Sequence, residues 1–432
     1  MIRCIDLRGA AGPDAFDYRA VLLRASLDIE AAMDTAGSIC ADVRRRGEAA
    51  VLAATRRFDG VEDPLLTVPA AAMQQAYAQL DPDVRAGLAE SISRLRRTCE
   101  AERRTDVTTR VADGATVTRR QVPVRRVGLY VPGGLAPLMS SVVMNVVPAQ
   151  AAGVESIALS SSPQREHGGL PHPVVLAACV TSGVDEVYAV GGAQAIAMFG
   201  YGAGPCQPVE LVTGPGNVYV TAAKRLLRGH VATDGDAGPT EIMVLADDSA
   251  DAVYVAADLI SQAEHDPLAA SVLVTTSTEL ADRVQQELVR QVAAAKHAER
   301  IGASLSGPQS AVVLVHDLGQ GIHVADAYAA EHVSVQTRDA HEVAMRVRTA
   351  GAVFVGPYTP VSLGDYCAGS NHVLPTAGSA RHSSGLSVNT FLREVHVVSY
   401  DEPALRAVAP AVVALAEAED LPAHGAAVQA RL

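Results

Sequence analysis

The chain has 432 residues, 48 acidic against 35 basic side chains, a formal net charge of −13 at pH 7, and 49 % hydrophobic residues. That content supports a large core and excludes global disorder, and the length predicts two or three domains at about 150 residues each. The acidic balance excludes the clustered basic surface nucleic acid needs, and no apolar run reaches the ~18 residues of a membrane span.

The N-terminus has no signal-peptide core, because Asp6, Arg8 and Asp14 interrupt it. Residues 1–20 are expected to form an N-terminal extension. From 21 to 105 the pattern is helical: DIEAAMDTAGSICADVRRRGEAAVLAATRRFDG repeats apolar residues every three or four positions and stops at Gly60. A second helix opens at Asp81 as N-cap with Pro82 in its first turn. After Gly114 the period changes, and ATVTRRQVPV and RRVGLYV read as strands.

Two series of alternating strands and helices follow. SIALSS, EVYAVGG and ELVTGPG make the first; EIMVLAD, SVLVTT, AVVLVHD and GAVFVGP, with amphipathic segments between, make the second. Such alternation gives parallel sheets covered on both faces. The expected fold class is α/β with two doubly wound, incomplete Rossmann-like lobes, a helical N-terminal region and a C-terminal tail. The expected boundaries place 21–126 together with 241–380 in the first lobe, carrying metal and catalytic residues. Residues 127–240 form a cofactor-binding second lobe, and 381–432 form a tail. The DGDAGPT stretch at 234–240 is the expected crossing point.

Ligands of open α/β sheets sit beyond the carboxyl ends of the strands. Three glycine-rich loops fall there: YVPGG (130–134), VGGAQ (190–194) and TGPGN (213–217). Glycine lets a backbone approach an anionic ligand closely, although each loop alone is equally ordinary turn chemistry. Six scattered cysteines without a CxxC pair suit a reducing cytoplasm, which is the expected location. Ten of the 13 histidines lie at or after residue 265, which draws attention to the second half. There, Gln262 and His265 are three apart at the end of a helix, as metal ligands often are. Glu331 and His332 set a carboxylate beside an imidazole, two bases tunable toward neutrality. SLGDYCAGSNHVLPTAG (362–378) is expected to be a long binding loop holding Asp365 as a hard ligand and His372 as a substrate contact. Cys367 between them is a weaker candidate nucleophile. Glu419 and His424 lie in a polar tail that matters only if it folds back or crosses to a second subunit.

In order along the chain, GLYVPGG, AVGGAQAIA, TGPGNVYVTAAKR, AGPTE, DLISQAEH, AAEHV, GDYCAGSNHVLPT and AHGAAV resemble the blocks of the histidinol dehydrogenase family. The resemblance implies a homodimer with one zinc ion per subunit, oxidising L-histidinol through L-histidinal to L-histidine with two NAD. It implies zinc ligands at Gln262, His265, Asp365 and His424, and a catalytic pair at Glu331 and His332. Those six positions would all contact substrate, together with Thr240, His372 and Glu419. Cofactor contacts would fall on Tyr130, Gln194 and Asn217. Glu419 and His424 would reach the active site of the neighbouring subunit. Two positions depart from the common pattern: Thr240 stands where serine is frequent and Asp266 where glycine is frequent. The rival readings are a related zinc and NAD enzyme for another polar alcohol, and a zinc hydrolase or metal-binding protein, against which the glycine loops weigh.

Overall fold

The computed structural model describes residues 2–10, 17–25, 28–133, 136–236 and 238–432. Its largest sheet has six strands in the order Arg3–Asp6, Ala311–Leu314, Ala270–Thr275, Glu241–Ala246, His332–Gln336 and Ala352–Val355, all parallel. In its three central strands every residue is buried (EIMVLA, SVLVT with its leading alanine, HVSVQ), as a sheet covered on both faces requires. Side chains alternate between two cores. Ile242, Val244 and Leu273 face one, while Met243, Leu245, Val272 and Val274 face the other.

A second, five-stranded parallel sheet runs Glu186–Ala189, Ser156–Ser161, Arg126–Val131, Leu211–Thr213 and Ala232–Thr233. It too is covered on both faces: Val127, Leu129 and Leu159 point into one core, Tyr130, Ala158 and Val212 into the other. The expected α/β class with parallel sheets between helices is therefore the observed one. The chain passes from the five-stranded to the six-stranded sheet through the 234–240 stretch, of which Ala237 lies outside the described residues. Gly134, in the first glycine loop, also lies outside them.

The grouping of segments differs from expectation in three places. The helices Ile29–Arg46 and Glu48–Phe58 pack on Gly192–Tyr201 and Val218–Leu227, and the helices Ala70–Gln79 and Pro82–Glu102 pack on Pro173–Thr181 and Met139–Ala152. The N-terminal helices thus cover the five-stranded sheet, whereas residues 21–126 are expected from the sequence to belong with the six-stranded one. Their periodicity shows which face is buried (Ala32, Ala36, Cys40, Val43) but not against what. The expected N-terminal extension is instead part of the six-stranded core: Arg3–Asp6 is its edge strand, and Leu7, Tyr18 and Leu22 are buried. Residues 381–391, assigned to the tail, belong to the body, because Leu386, Val388 and Phe391 are buried in the core of the five-stranded lobe.

Beyond them, the strand Leu392–Tyr400 pairs antiparallel with Ala115–Pro123, which pairs with Val107–Ala112. The helices Glu402–Ala418 and Pro422–Gln429 follow and pack on each other. This arm keeps Val395, Val397, Val398, Val408, Leu415 and Leu421 exposed.

Candidate active site

A cleft of about 240 Å³ opens between the lobes, with Ser141, Gly214 and Asp234 on one side and Thr240, His265, Glu331, His332 and Asp365 on the other. Glu331 and His332 arrive by a sharp turn. The helix Leu318–Tyr328 ends at Ala329, whose φ of 53° is left-handed, a conformation that costs an L residue roughly 1–2 kcal/mol. Two residues on, Glu331 stands at the mouth of the strand His332–Gln336.

Both members of the pair are fixed by Glu241, the first residue of the neighbouring strand. Its N–H donates to Glu331 Oε2 at 3.0 Å, and its carbonyl accepts from His332 Nδ1 at 3.2 Å. A carbonyl only accepts, so Nδ1 carries the proton and Nε2 keeps its lone pair. Glu331 Oε2 also accepts from the Thr240 hydroxyl. Burial pushes the Glu331 carboxyl up to about 7, against the hydrogen bonds from Thr240 and Glu241 that pull it down. Burial pulls the His332 imidazole below its ordinary value, with the Asp365 charge opposing. Glu331 and His332 are only 3.6 Å apart, Oε2 to Nδ1.

His265 and Asp365 face each other with Nε2 and Oδ2 3.9 Å apart. Gln262 lies in the helix Ala252–Ala263, while His265 follows its end in a turn, so the two are not on one helix face as expected. Asp365 likewise sits on a short helix, Val361–Tyr366, not in a loop; Pro360 ahead of it starts the turn. That helix is pressed onto the strand Ala352–Val355 by Gly364, where a Cβ would stand 2.6 Å from the Phe354 ring. Phe354 in turn packs against the His332 ring, centroids 5.9 Å apart.

A zinc ion about 2.0–2.1 Å from a nitrogen and 2.0–2.2 Å from an oxygen can touch both when those atoms are within ~4.3 Å, which the His265–Asp365 separation satisfies. Gln262 is buried, its amide nitrogen donating to Thr240 Oγ1, which leaves the amide oxygen free to accept. His265 and Asp365 thus fit two positions of a mixed N/O shell, and the Gln262 amide oxygen is of a type that could supply a third. Among the described residues no three His, Cys, Asp or Glu side chains come together as a metal cluster.

The remaining expected residues are placed as follows. His372 is in the cleft, but both nitrogens are engaged: Nδ1 with the Asp365 carbonyl at 3.2 Å, and Nε2 with the Ser141 hydroxyl at 3.3 Å. Thr240 binds Glu331 and Gln262. Tyr130, Gln194 and Asn217 do not line the cleft; they stand at or just beyond the carboxyl ends of three strands of the five-stranded sheet. Tyr130 Oη accepts from Gly192 N–H at 3.1 Å, Gln194 Nε2 reaches Asp59 Oδ2 at 3.4 Å, and Asn217 Oδ1 caps the helix Val218–Leu227. The neighbouring Gly214, at φ 112°, lies where any Cβ would collide with the Tyr130 carbonyl, so only glycine closes this loop on that strand. Glu419 and His424 are exposed in the arm and do not line the cleft of their own chain. Ser141 and Glu241 were missed as site residues: a buried serine in an apolar helix carries no signal, and Glu241 acts through its main chain.

The two parallel-sheet lobes, glycine loops on one and an acid–base pair on the other, define a two-lobed α/β oxidoreductase. The histidinol dehydrogenase family profile matches residues 22–432, and the chain belongs to that family. It is 64 % identical to the histidinol dehydrogenase of Thermobifida fusca, over 100 % of this chain and 98 % of that protein. It is 58 % identical to that of Mycobacterium tuberculosis, over 99 % and 97 %. The crystal structure of histidinol dehydrogenase from Elizabethkingia anophelis superposes with a TM-score of 0.94 at 28 % identity, over 100 % of this chain and 98 % of that one.

Proposed function

We propose that this chain oxidises L-histidinol through L-histidinal to L-histidine, using two NAD and one zinc ion per subunit. The observation that carries this reading is the pair of bases in one cleft: an imidazole with its Nε2 lone pair fixed by the Glu241 carbonyl, and beside it a carboxyl raised toward neutrality.

When bound, NAD supplies a hydride acceptor at each oxidation, and zinc, held by Gln262, His265 and Asp365, supplies a cation that orients the amino alcohol. His332 Nε2 takes the hydroxyl proton as the carbon loses hydride, which yields the aldehyde. Glu331 then takes a proton from water, and the resulting hydroxide adds to the aldehyde carbon. His332, having released its first proton to solvent, receives the hydroxyl proton of that adduct as the second hydride leaves, which yields the carboxylate. Water as nucleophile needs no thiol, and Cys367, which caps the helix Val361–Tyr366, does not line the cleft.

The fourth zinc donor is His424 of a second copy, with Glu419 of that copy reaching the substrate. The exposed apolar arm that carries them supports a homodimer with exchanged tails. Tyr130, Gln194 and Asn217 are assigned to the cofactor through their place at the carboxyl ends of parallel strands. The location is the cytoplasm. The test is turnover of purified, zinc-loaded protein with L-histidinol and NAD: two NADH per histidine supports the reading, and no NADH rejects it.

A further inference from the structure

Arg24 precedes the first long helix and is far in sequence from every residue assigned to the site, yet its guanidinium fork spans the two segments that build the catalytic pair. Nη1 donates to Glu241 Oε1, and Nη2 donates to the main-chain carbonyl of Tyr328. The guanidinium plane also lies over the Tyr328 ring, 3.8 Å from its centroid. Glu241 is the residue whose N–H and C=O hold Glu331 and His332. Tyr328 is the last residue of the helix before the left-handed Ala329, three positions ahead of Glu331. One side chain therefore pins both the strand start that orients the pair and the strained turn that delivers it.

Other groups define the environment of this clamp. Arg381 Nη2 donates to the carbonyls of Ala327 and Tyr328, so a second guanidinium grips the same turn from the opposite end of the chain. The Glu241 carboxyl is buried, its Oε1 taken by Arg24 and its Oε2 without a hydrogen-bond partner among the described residues. Removing Arg24 leaves a buried carboxylate unpaired directly behind the pair. It also frees a non-glycine left-handed turn to relax.

We propose that Arg24 is a positioning residue for the Glu331–His332 pair, acting through Glu241 and the Tyr328 carbonyl and not by contact with substrate or cofactor. The proposal rests on the assignment of Glu331 and His332 as the bases. A displacement of about 1 Å in a catalytic group costs up to ~10²-fold in rate. Lysine offers a single ammonium in place of a two-pronged fork and cannot serve both acceptors in this geometry.

The experiment compares wild type, Arg24→Ala and Arg24→Lys as zinc-loaded full-length proteins, with steady-state kinetics on L-histidinol and NAD and thermal melts of each. Arg24→Ala is then assayed with added millimolar guanidinium. The expected result is a kcat lowered about 10²-fold in Arg24→Ala, KM for both substrates within about threefold, and kcat raised at least several-fold by guanidinium. Arg24→Lys should lie between the two and keep the proposal testable where the alanine variant does not fold. Either of two results overturns it: an unchanged kcat in the folded variants, or a loss confined to KM. A kcat loss in folded Arg24→Ala that guanidinium leaves untouched also counts against it. A wild type inactive on histidinol under these conditions overturns the functional reading instead.

Discussion

The carbonyl of Glu241 accepts the Nδ1 proton of His332 at 3.2 Å, and this one bond leaves Nε2 as the nitrogen with a lone pair to act as a base. The proton sits on the nitrogen that faces the neighbouring strand, and the lone pair sits on Nε2. A group that lacks that lone pair cannot take the alcohol proton in either oxidation. His332→Gln should therefore lower kcat for both histidinol and histidinal by about 10²–10⁴, the usual worth of a positioned general base. KM should change little, which steady-state kinetics on each substrate separately will show. A normal rate on either one contradicts the assignment.

Glu331 carries a pH prediction with a definite sign. Burial raises its carboxyl to about 7, and water activation needs the ionised form. Histidinal oxidation should rise as pH increases through about 7 and level off above it. The same shift couples to stability. A carboxyl raised in the folded state contributes stability that is present below its ordinary value of 4.5 and lost as pH rises through about 7. Wild type should thus lose melting temperature relative to Glu331→Gln between pH 5 and pH 8 in metal-free protein. Parallel melting curves across that window would remove the buried-carboxyl account.

Gly364 tests the link from packing to chemistry. An added methyl meets the Phe354 ring at 2.6 Å, and that ring backs His332. Overpacking of this kind costs about 1–3 kcal/mol. Gly364→Ala should show that loss in denaturant unfolding and a kcat reduced beyond what the melt explains. Full stability with full activity would mean the Phe354 contact transmits nothing.

Tail exchange can be tested on histidinal oxidation by mixing two variants expected to be defective in that step, Glu331→Gln and His424→Asn. In a mixed dimer with exchanged tails, one site combines both defects and the other has neither. Random reassociation should restore about a quarter of the wild-type sites, because half the dimers are mixed and half their sites are intact. No recovery after verified subunit exchange would place each tail in its own chain's site.

The α/β class and most strands were legible, because buried parallel strands leave continuous apolar runs such as EIMVLA and SVLVT. The partner of each helix was not. Ala32, Ala36, Cys40 and Val43 mark a buried face on the helix Ile29–Arg46, and nothing in that spacing says which sheet lies beneath it. Glu331, His332, His265 and Asp365 were legible as chemistry-bearing side chains, and the fold brings them together. Glu241 was not, since its contribution is a main-chain N–H and C=O, which every residue other than proline possesses. Arg24 lay outside any motif, because a clamp between two distant segments leaves no local pattern.

The division of labour between the two bases is the centre of the mechanism, and the half-reactions separate them. Zinc-loaded wild type and Glu331→Gln are supplied with NAD and either L-histidinol or L-histidinal, and initial NADH formation is followed at pH 8. Histidinol is oxidised to the aldehyde without water, so the variant should form that first NADH at a rate near wild type. On histidinal it should be slower by about 10²-fold or more, the worth of a general base for water. Equal losses on the two substrates, or an undiminished rate on histidinal, would contradict the assignment of Glu331 to water.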